Sequence, residues 1–483
     1  MPATRPHYQV TFVILAAGVA AYTILQSLVI PVLTGLEGVL HTSQGGVTWV
    51  LTANLLSASI FTPIMGRLGD VRGKKRVFMV TLAALAAGSL LAALAGNLWV
   101  MIIARVIQGI GGGVIPLSFG IVRDEFPRER IAGAIGTMAA IAAAAGGLGI
   151  FLAGPIAEGL GYHWLFWIPM IMMVATAVVV FMFVPESPNR TFTRINWLPG
   201  VFLSAWLVAL LIAFTEAPDW GWASGKVIGL LIAAVAVAGV WIVTENRAAN
   251  PLIDLRMMRL RAVWTSNLVA LLIGGGMYGM WAFVPEFVQT PRIGGYGFGA
   301  SVTESGVILL PSAVTMFLLG LLAGRLAARL GGRLVVATGC LIGVGGMLIL
   351  AFAHGKQWEL YLATAVLGMG FGLAYSAMSA LIVGAVPAEQ TGVASGMNAN
   401  IRTIGGSIGT ALVASIITGH IGRAGLPEGS GYTTGFAVLA GGMVLATLAG
   451  LLIPAPRRIV TPPAARLEPE HAELAAEAGD TLT

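Results

Sequence analysis

Charge is scarce in this chain. Asp, Glu, Lys and Arg make up 10% of its 483 residues, whereas 57% of the residues are hydrophobic and the mean hydropathy is +0.88. Soluble domains carry about 25% charged residues, so this composition excludes a soluble globular protein. A helix that crosses a bilayer needs about 20 apolar residues, and the chain is long enough for well over ten such helices.

Residues that bind metals or act as nucleophiles are also few. Cys340 is the sole cysteine, and the six histidines fall in loops or tails, which excludes a disulfide framework and predicts no metal site. The apolar runs hold no cluster of carboxylates or histidines that would activate a nucleophile, so we expect neither an enzyme nor any catalytic residue. No phosphate-binding G-x-x-x-x-G-K-[ST] motif occurs, and neither ATP nor a cofactor is expected.

Long, nearly uncharged runs account for most of the sequence. Fourteen of them can be counted, each bounded by glycine, proline or charged clusters. In hydrocarbon only a helix or a closed barrel satisfies every backbone polar group, and these runs lack the alternation of barrel strands. The sequence therefore predicts an all-α polytopic membrane protein with fourteen transmembrane helices, the first of which is retained rather than cleaved as a signal peptide.

The few basic residues are distributed unevenly between the two sides. With fourteen spans both termini lie on one side, and 21 of the 27 Lys and Arg fall there, four fall on the other side, and Arg105 and Arg402 lie inside spans. The positive-inside rule then predicts cytoplasmic termini. Because the net charge of +6 lies in short loops, it does not indicate a nucleic-acid partner.

Two segments of the chain resemble one another. "GRLGDVRGKKR" at 66–76 and "GRLAARLGGR" at 324–333 share four residues at an offset of 258, and Pro127 and Glu129 recur as Pro387 and Glu389 at an offset of 260. Two matches at nearly one offset indicate a duplicated bundle. The predicted parts are a six-helix bundle at 1–195, two inserted transmembrane helices at 196–245, a second six-helix bundle at 246–455, and an acidic cytoplasmic tail at 456–483.

The first of these segments resembles the signature of the major facilitator superfamily between helices two and three. The matching residues are Gly66, Leu68, Asp70, Gly73, Lys74 and Lys75. The span count and "NPLIDLRMMRLRA" at 250–262 are similar to the fourteen-helix drug:proton antiporter branch. The resemblance covers residues 10–455 and implies the major facilitator fold, in which two six-helix bundles rock about a central cavity.

The resemblance also implies a conformational latch. Its residues would be Gly66, Asp70, Gly73 and Lys74, with Arg123 or Arg130 as the partner of Asp70. From the residues alone, the basic side chains fix orientation and meet anionic lipid, whereas Asp70 either joins two helix ends or balances charge in a solvated loop.

Arg105 is the costliest residue of the chain, because a cation at a span centre costs about 2.5–3.5 kcal/mol on insertion scales. Gln108 shares its helix face, and Gly109 and Gly112 allow another helix to approach closely. The resemblance implies that this arginine faces the cavity and is linked to proton coupling. The alternative is a side chain that reaches out to the membrane interface.

Two departures from the branch weaken the expectation of proton antiport. Where the branch carries an aspartate in helix one, this chain has Gln26, and where its fifth helix ends a motif in Gly-Pro, this chain has Gly149 and Ile150. Glu286 and Glu158, at the ends of two spans, are the nearest carboxylates, and each is either a coupling residue or an interfacial glutamate in water.

Further residues divide between cavity lining and helix packing. Asn398 and Arg402 share one face of a span that is also rich in glycine, so they either line the cavity or lie at a packed surface from which Arg402 reaches the interface. Gly149 and Gly154 are predicted to pack the fifth span against a neighbour.

Taken with the resemblance, these features predict a secondary transporter in a bacterial plasma membrane. It would export amphipathic, often cationic small molecules in exchange for protons. The alternatives are facilitated or uptake transport of a metabolite or lipid without proton antiport, and a membrane sensor that transports nothing.

Overall fold

The computed structural model describes residues 8–42, 44–187, 196–292, 296–420 and 427–454. Within these residues fourteen helices are long and apolar enough to cross a membrane, which confirms the predicted count. They are α1 Tyr8–Val32, α2 Trp49–Arg72, α3 Lys74–Ala93, α4 Leu98–Glu125, α5 Arg128–Gly159, α6 Trp164–Phe183, α7 Trp197–Trp220, α8 Gly225–Arg247, α9 Arg261–Gln289, α10 Val302–Leu330, α11 Gly332–Phe352, α12 Gln357–Ala385, α13 Ala388–Thr418 and α14 Gly429–Leu451.

The repeated glycine-containing segments are helical almost throughout. The expectation that Asp70 lies in a loop is wrong, because α2 continues to Arg72 and α3 begins at Lys74. Only Gly73 separates them, and its φ of 108° is a conformation that glycine adopts without steric strain. Gly331 separates α10 from α11 in the same way, with a φ of 87°, so the two copies share a backbone turn as well as a sequence.

The fourteen helices comprise two groups of six, α1–α6 and α9–α14, with α7 and α8 between them in the sequence. In the first group α1 packs against α5 and α6, α2 packs against α4, and α3 packs against α6. In the second group α9 packs against α13 and α14, and α11 packs against α12 and α14. The two helices between these groups, α7 and α8, pack against each other, and α7 also contacts α2 and α13. The predicted limits at 195 and 455 and the tail at 456–483 fall outside the described residues.

Both described ends of the chain lie on one face of the helix bundle, here called the terminal face, because an even number of spans returns the chain to its starting side. The helix groups meet there at two crossings. At the α2–α13 crossing, a Cβ added to Gly66 would lie 2.6 Å from the carbonyl oxygen of Gly392. At the α5–α10 crossing, a Cβ on Gly324 would lie 3.6 Å from the Cα of Gly133. Glycine thus brings the backbones together at both crossings.

Candidate functional site

A cavity of about 360 Å³ lies between the two helix groups. Its walls come from both groups: α1, α2, α4 and α5 on one side and α9, α12 and α13 on the other. Most of the lining is apolar or aromatic, including Tyr22, Tyr278, Trp281, Phe283 and Tyr375. A cavity of this size and character suits a drug-sized amphipathic molecule.

The first inserted helix, α7, also contributes to the cavity wall. Phe214, Thr215 and Pro218 of α7 line the cavity. Just beyond α7, the indole Nε1 of Trp222 donates a hydrogen bond to Ser415 Oγ of α13 at 2.8 Å. The insert therefore lies against the cavity rather than apart from it.

Gln26 belongs to a chain of polar side chains on the first-group wall. Its Nε2 donates to Tyr22 Oη at 3.3 Å, and its Oε1 accepts a hydrogen bond from Asn54 Nδ2 at 2.7 Å. All three residues line the cavity. In place of a carboxylate, the first helix presents a neutral amide that both donates and accepts.

Arg105 is completely buried and lines the cavity. Its Nε donates to the carbonyl oxygen of Val50 at 3.1 Å and its Nη1 to Gln108 Oε1 at 2.7 Å, while Gln108 Nε2 donates to Ser89 Oγ at 3.1 Å. These bonds hold the guanidinium inside the first group, so the alternative in which it reaches the interface is wrong. Its Nη2 has no hydrogen-bond partner among the described residues.

Arg402 enters the same cavity from the second group. It is 7% exposed, and its guanidinium carbon lies 4.3 Å from the centre of the Tyr375 ring, within the range of a cation–π contact. Neither its Nε nor the amide atoms of Asn400, which is 2% exposed, have a hydrogen-bond partner in the described part of the chain. The alternative in which Arg402 reaches the interface is therefore also wrong.

The terminal face is closed by hydrogen bonds between the helix groups. Arg123, at the end of α4, donates to the carbonyl oxygens of Val383 at 2.6 Å and Val386 at 2.7 Å and to Thr391 Oγ1 at 2.8 Å. The last carbonyls of a helix have no partner within it, and Arg123 supplies one for the end of α12. Deeper in, Ser376 Oγ donates to the carbonyl oxygen of Gly136 at 2.6 Å.

Asp70 and Lys74 are both buried, each 1% exposed, beside the α2–α13 crossing. Lys74 Nζ lies 2.7 Å from Asp124 Oδ2 and 3.9 Å from Asp70 Oδ1. Asp124 also accepts a hydrogen bond from Ser187. Asp70 reaches the crossing itself, since a Cβ on Gly392 would lie 3.3 Å from its Oδ2.

Neither arginine predicted to pair with Asp70 has the expected contacts. Arg123 is directed at the carbonyls of the second group instead. Arg130 donates to the hydroxyl of Tyr8 and lies over its ring, both contacts being within the first group. The residues predicted to form a latch therefore lie at the terminal face, and Arg123 joins the two groups directly rather than through Asp70.

Glu286 and Asn398 do not line the cavity. Glu286 accepts a hydrogen bond from Tyr432 Oη of α14 at 2.9 Å, and Asn398 Nδ2 donates to Asn267 Oδ1 of α9 at 3.0 Å. Both contacts lie within the second group, and Asn398 therefore takes the alternative position, at a packed helix surface. Glu158, the other carboxylate considered, accepts from Thr303 Oγ1 at 2.8 Å.

The four glycines predicted to pack helices lie at close helix contacts. A side chain on Gly109 or Gly112 would meet Ser57 or Thr62 of α2, and one on Gly149 would meet Ser27 of α1. A Cβ on Gly154 would lie 2.6 Å from the Cα of Thr303 in α10. Small residues let these backbones approach, as expected for packing in a membrane.

Several site residues were missed by the sequence reasoning, chief among them Asp124, Asn54 and Asn400. A signal existed for Asp124: α3 begins and α4 ends at the terminal face, so Lys74 and Asp124 lie at the same level. Among the described residues no three His, Cys, Asp or Glu side chains come together as a metal site.

Comparisons with known proteins agree with this architecture. Residues 15–410, and again residues 268–477, match the family model of the Major Facilitator Superfamily. A multidrug transporter protein, MdtP, of Bacillus subtilis is 29% identical over 385 residues, which are 78% of this chain and 69% of that protein. The tetracenomycin C resistance and export protein of Streptomyces glaucescens is 27% identical over 417 residues, covering 85% and 76%.

A solved structure has the same fold. The human organic anion transporter MFSD10 superposes with a TM-score of 0.66 at 16% sequence identity, over 92% of this chain and 100% of that one.

Proposed function

We propose that this chain, which belongs to the Major Facilitator Superfamily and is a multi-pass membrane transporter, exports amphipathic small molecules. Export would proceed by alternating access. Bacterial relatives named for multidrug transport and for resistance and export of tetracenomycin C support export. The excess of basic residues on the terminal side supports cytoplasmic termini, in a bacterial plasma membrane.

One observation carries the proposal: a central cavity between two helix groups that Arg123 joins at the terminal face. Release of these hydrogen bonds would let the groups separate at that face. A carrier needs such a contact, which forms in one state and breaks in another.

A proton gradient is the energy source that we propose, since the chain has no nucleotide-binding motif. The test is efflux of a preloaded fluorescent amphipathic compound from an efflux-deficient bacterial host, with and without a protonophore. We expect efflux above the empty host that the protonophore abolishes and that Arg105→Ala lacks. Arg292→Ala, an exposed arginine outside the cavity, is the matched control and should transport normally. Efflux equal to that of the empty host across a broad panel would refute export.

A second candidate is facilitated or uptake transport of a metabolite or lipid without proton antiport. It is favoured by the neutral Gln26 in helix one and by the lack of Asp and Glu among the described cavity-lining residues. Substrate counterflow that persists without a pH gradient and moves no protons would establish this candidate over the first.

A further inference from the structure

We propose that the cavity selects amphipathic molecules that carry an anionic group, such as a carboxylate or sulfonate, held between Arg105 and Arg402. This inference names the substrate class of the site described above and so rests on the proposed transport function. It reverses the expectation, drawn from the sequence, of substrates that are often cationic.

The charge of the cavity lining is the first step. Among its described residues the ionised side chains at neutral pH are Arg105 and Arg402, and no Asp, Glu, Lys or His is present. Glu216 follows the lining residue Thr215 in α7, but it is not itself part of the lining. Without a compensating carboxylate in the wall, the cavity is positively charged.

The second step is that both guanidinium groups retain free donors. Arg105 has Nη2, and Arg402 has Nε, without a hydrogen-bond partner in the described residues, although both side chains are more than nine-tenths buried. A buried donor left unpaired is destabilising, the more so on a charged group. An anionic ligand group would satisfy these donors, and the planar guanidinium matches the geometry of carboxylates and sulfonates.

The third step is that the two arginines act on the same region of the cavity. They belong to opposite helix groups, yet both line the same cavity, together with Tyr22. Asn400 Nδ2 is also without a partner among the described residues and provides a further donor there. The anionic group would therefore bind near Tyr22, between the helix groups.

The rest of the cavity lining indicates the chemical character of the uncharged part of the substrate. Trp281, Phe283, Met277 and Tyr278 line the cavity on the α9 side, and Phe214 lines it on the inserted helix. These side chains suit an aromatic or aliphatic body. A cationic amphiphile would make the same apolar contacts, but both arginines would repel it. Repulsion between like charges is stronger in a protein interior than in water because the dielectric constant is lower.

The test compares three probes that share a dansyl group. Dansyl-phenylalanine carries a carboxylate, its carboxamide is neutral, and dansylcadaverine carries an ammonium group. Binding to the full chain in uncharged detergent is followed by dansyl fluorescence. We expect the carboxylate to bind at least about tenfold more tightly than the carboxamide, a factor that corresponds to one good charge-assisted contact, and the ammonium probe to bind most weakly.

Substitutions at Arg402 separate the role of charge from that of packing. Arg402→Gln should weaken binding of the carboxylate about tenfold and change that of the carboxamide less than about twofold, while Arg402→Lys should lie between the two. Arg292→Gln, outside the cavity, is the matched control. Arg105→Gln should act in the same direction as Arg402→Gln. If it fails to fold because its bonds to Val50 and Gln108 are lost, the Arg402 variants still decide the question.

Three results would overturn the inference: equal affinities for carboxylate and carboxamide, tightest binding of the ammonium probe, or no saturable binding of any probe. Failure of the inference and failure of the transport function give different results. Efflux of neutral or cationic compounds that Arg402→Gln leaves unchanged would refute anion selectivity and leave transport intact. Saturable binding of the carboxylate probe, with no efflux of any compound, would refute transport alone.

Discussion

The α2–α13 and α5–α10 crossings are copies of one another, yet four charged residues of the first have no charged counterpart in the second. Both bring glycines of opposite groups together, Gly66 with Gly392 and Gly324 with Gly133. At the first crossing, positions 70, 74, 123 and 124 carry Asp, Lys, Arg and Asp. The equivalent positions in the second copy of the repeat are 328, 332, 383 and 384, and they carry Ala, Gly, Val and Gly. The two copies thus share the close backbone approach, whereas these four charged residues occur in one copy only.

The two helix pairs also differ beyond the terminal face. The α5–α10 contact extends from Gly133 and Gly324 to the opposite end of the two helices. There Thr303 packs so closely against Gly154 that a larger residue at 154 would clash, and its hydroxyl donates a hydrogen bond to Glu158. In contrast, α2 and α13 both line the cavity and α7 contacts each of them. We therefore expect the α2–α13 crossing to open during transport while the α5–α10 pair stays in contact.

The largest expected effect comes from adding one methyl group to each crossing. In Gly66→Ala the Cβ would lie 2.6 Å from the carbonyl oxygen of Gly392, a backbone atom that cannot rotate away, so the terminal face cannot close as it does here. In Gly324→Ala the Cβ would lie 3.6 Å from Gly133 Cα, an ordinary contact. We expect efflux to fall at least about tenfold in the first variant and less than about twofold in the second. Equal losses in the two variants would contradict the difference between the crossings.

A smaller effect is expected from removing the charge at the first crossing. Arg123→Gln loses hydrogen bonds to Val383, Val386 and Thr391, and a hydrogen bond to a charged group contributes about 1.5–3 kcal/mol. The conformational equilibrium of this variant should therefore shift toward states that are open at the terminal face. Ser395, 6% exposed in a small pocket between α4 and α13, reports on such opening.

The measurement is the rate at which a thiol reagent labels Ser395→Cys, and the buried Cys340 keeps the background low. We expect Arg123→Gln to raise the rate about tenfold, equivalent to about 1.4 kcal/mol in the opening equilibrium. Arg130→Gln is the matched control, because Arg130 bonds Tyr8 within its own group. An equal rise in both variants would show that loss of a basic residue, rather than of the link between groups, causes the opening.

Hydropathy predicted the number of helices but not where α2 ends. Arg67, Asp70 and Arg72 break the apolar run, so the sequence places a loop where the structure has the last turns of a helix. Charged residues end an apolar run without ending the helix, because they can be paired by neighbouring helices. The glycine with positive φ marks the true boundary in both copies.

A cavity residue could be predicted where a single span shows the energetic cost of burying its charge. Contacts between different spans could not be predicted. Arg105 and Gln108 share one helix face, so their pairing follows from helical spacing alone. The hydrogen bond from Asn54 to Gln26 joins two helices, and the cation–π contact of Arg402 with Tyr375 joins two others. Such contacts depend on how far each helix is rotated about its axis, which hydropathy does not determine when a span is apolar on all sides.

The smallest expected effect tests the far end of the α5–α10 pair. Thr303→Val keeps the shape of the side chain and removes the hydroxyl that donates a hydrogen bond to Glu158 in a solvent-exposed contact. If this pair stays in contact throughout transport, efflux should change less than about twofold, because a bond present in every state does not alter the equilibrium between states. Glu158→Gln, which keeps an acceptor oxygen, is the control and should behave like the parent. A severalfold change in efflux in Thr303→Val alone would mean that the α5–α10 pair also opens, and the contrast between the two crossings would then be one of strength rather than of role.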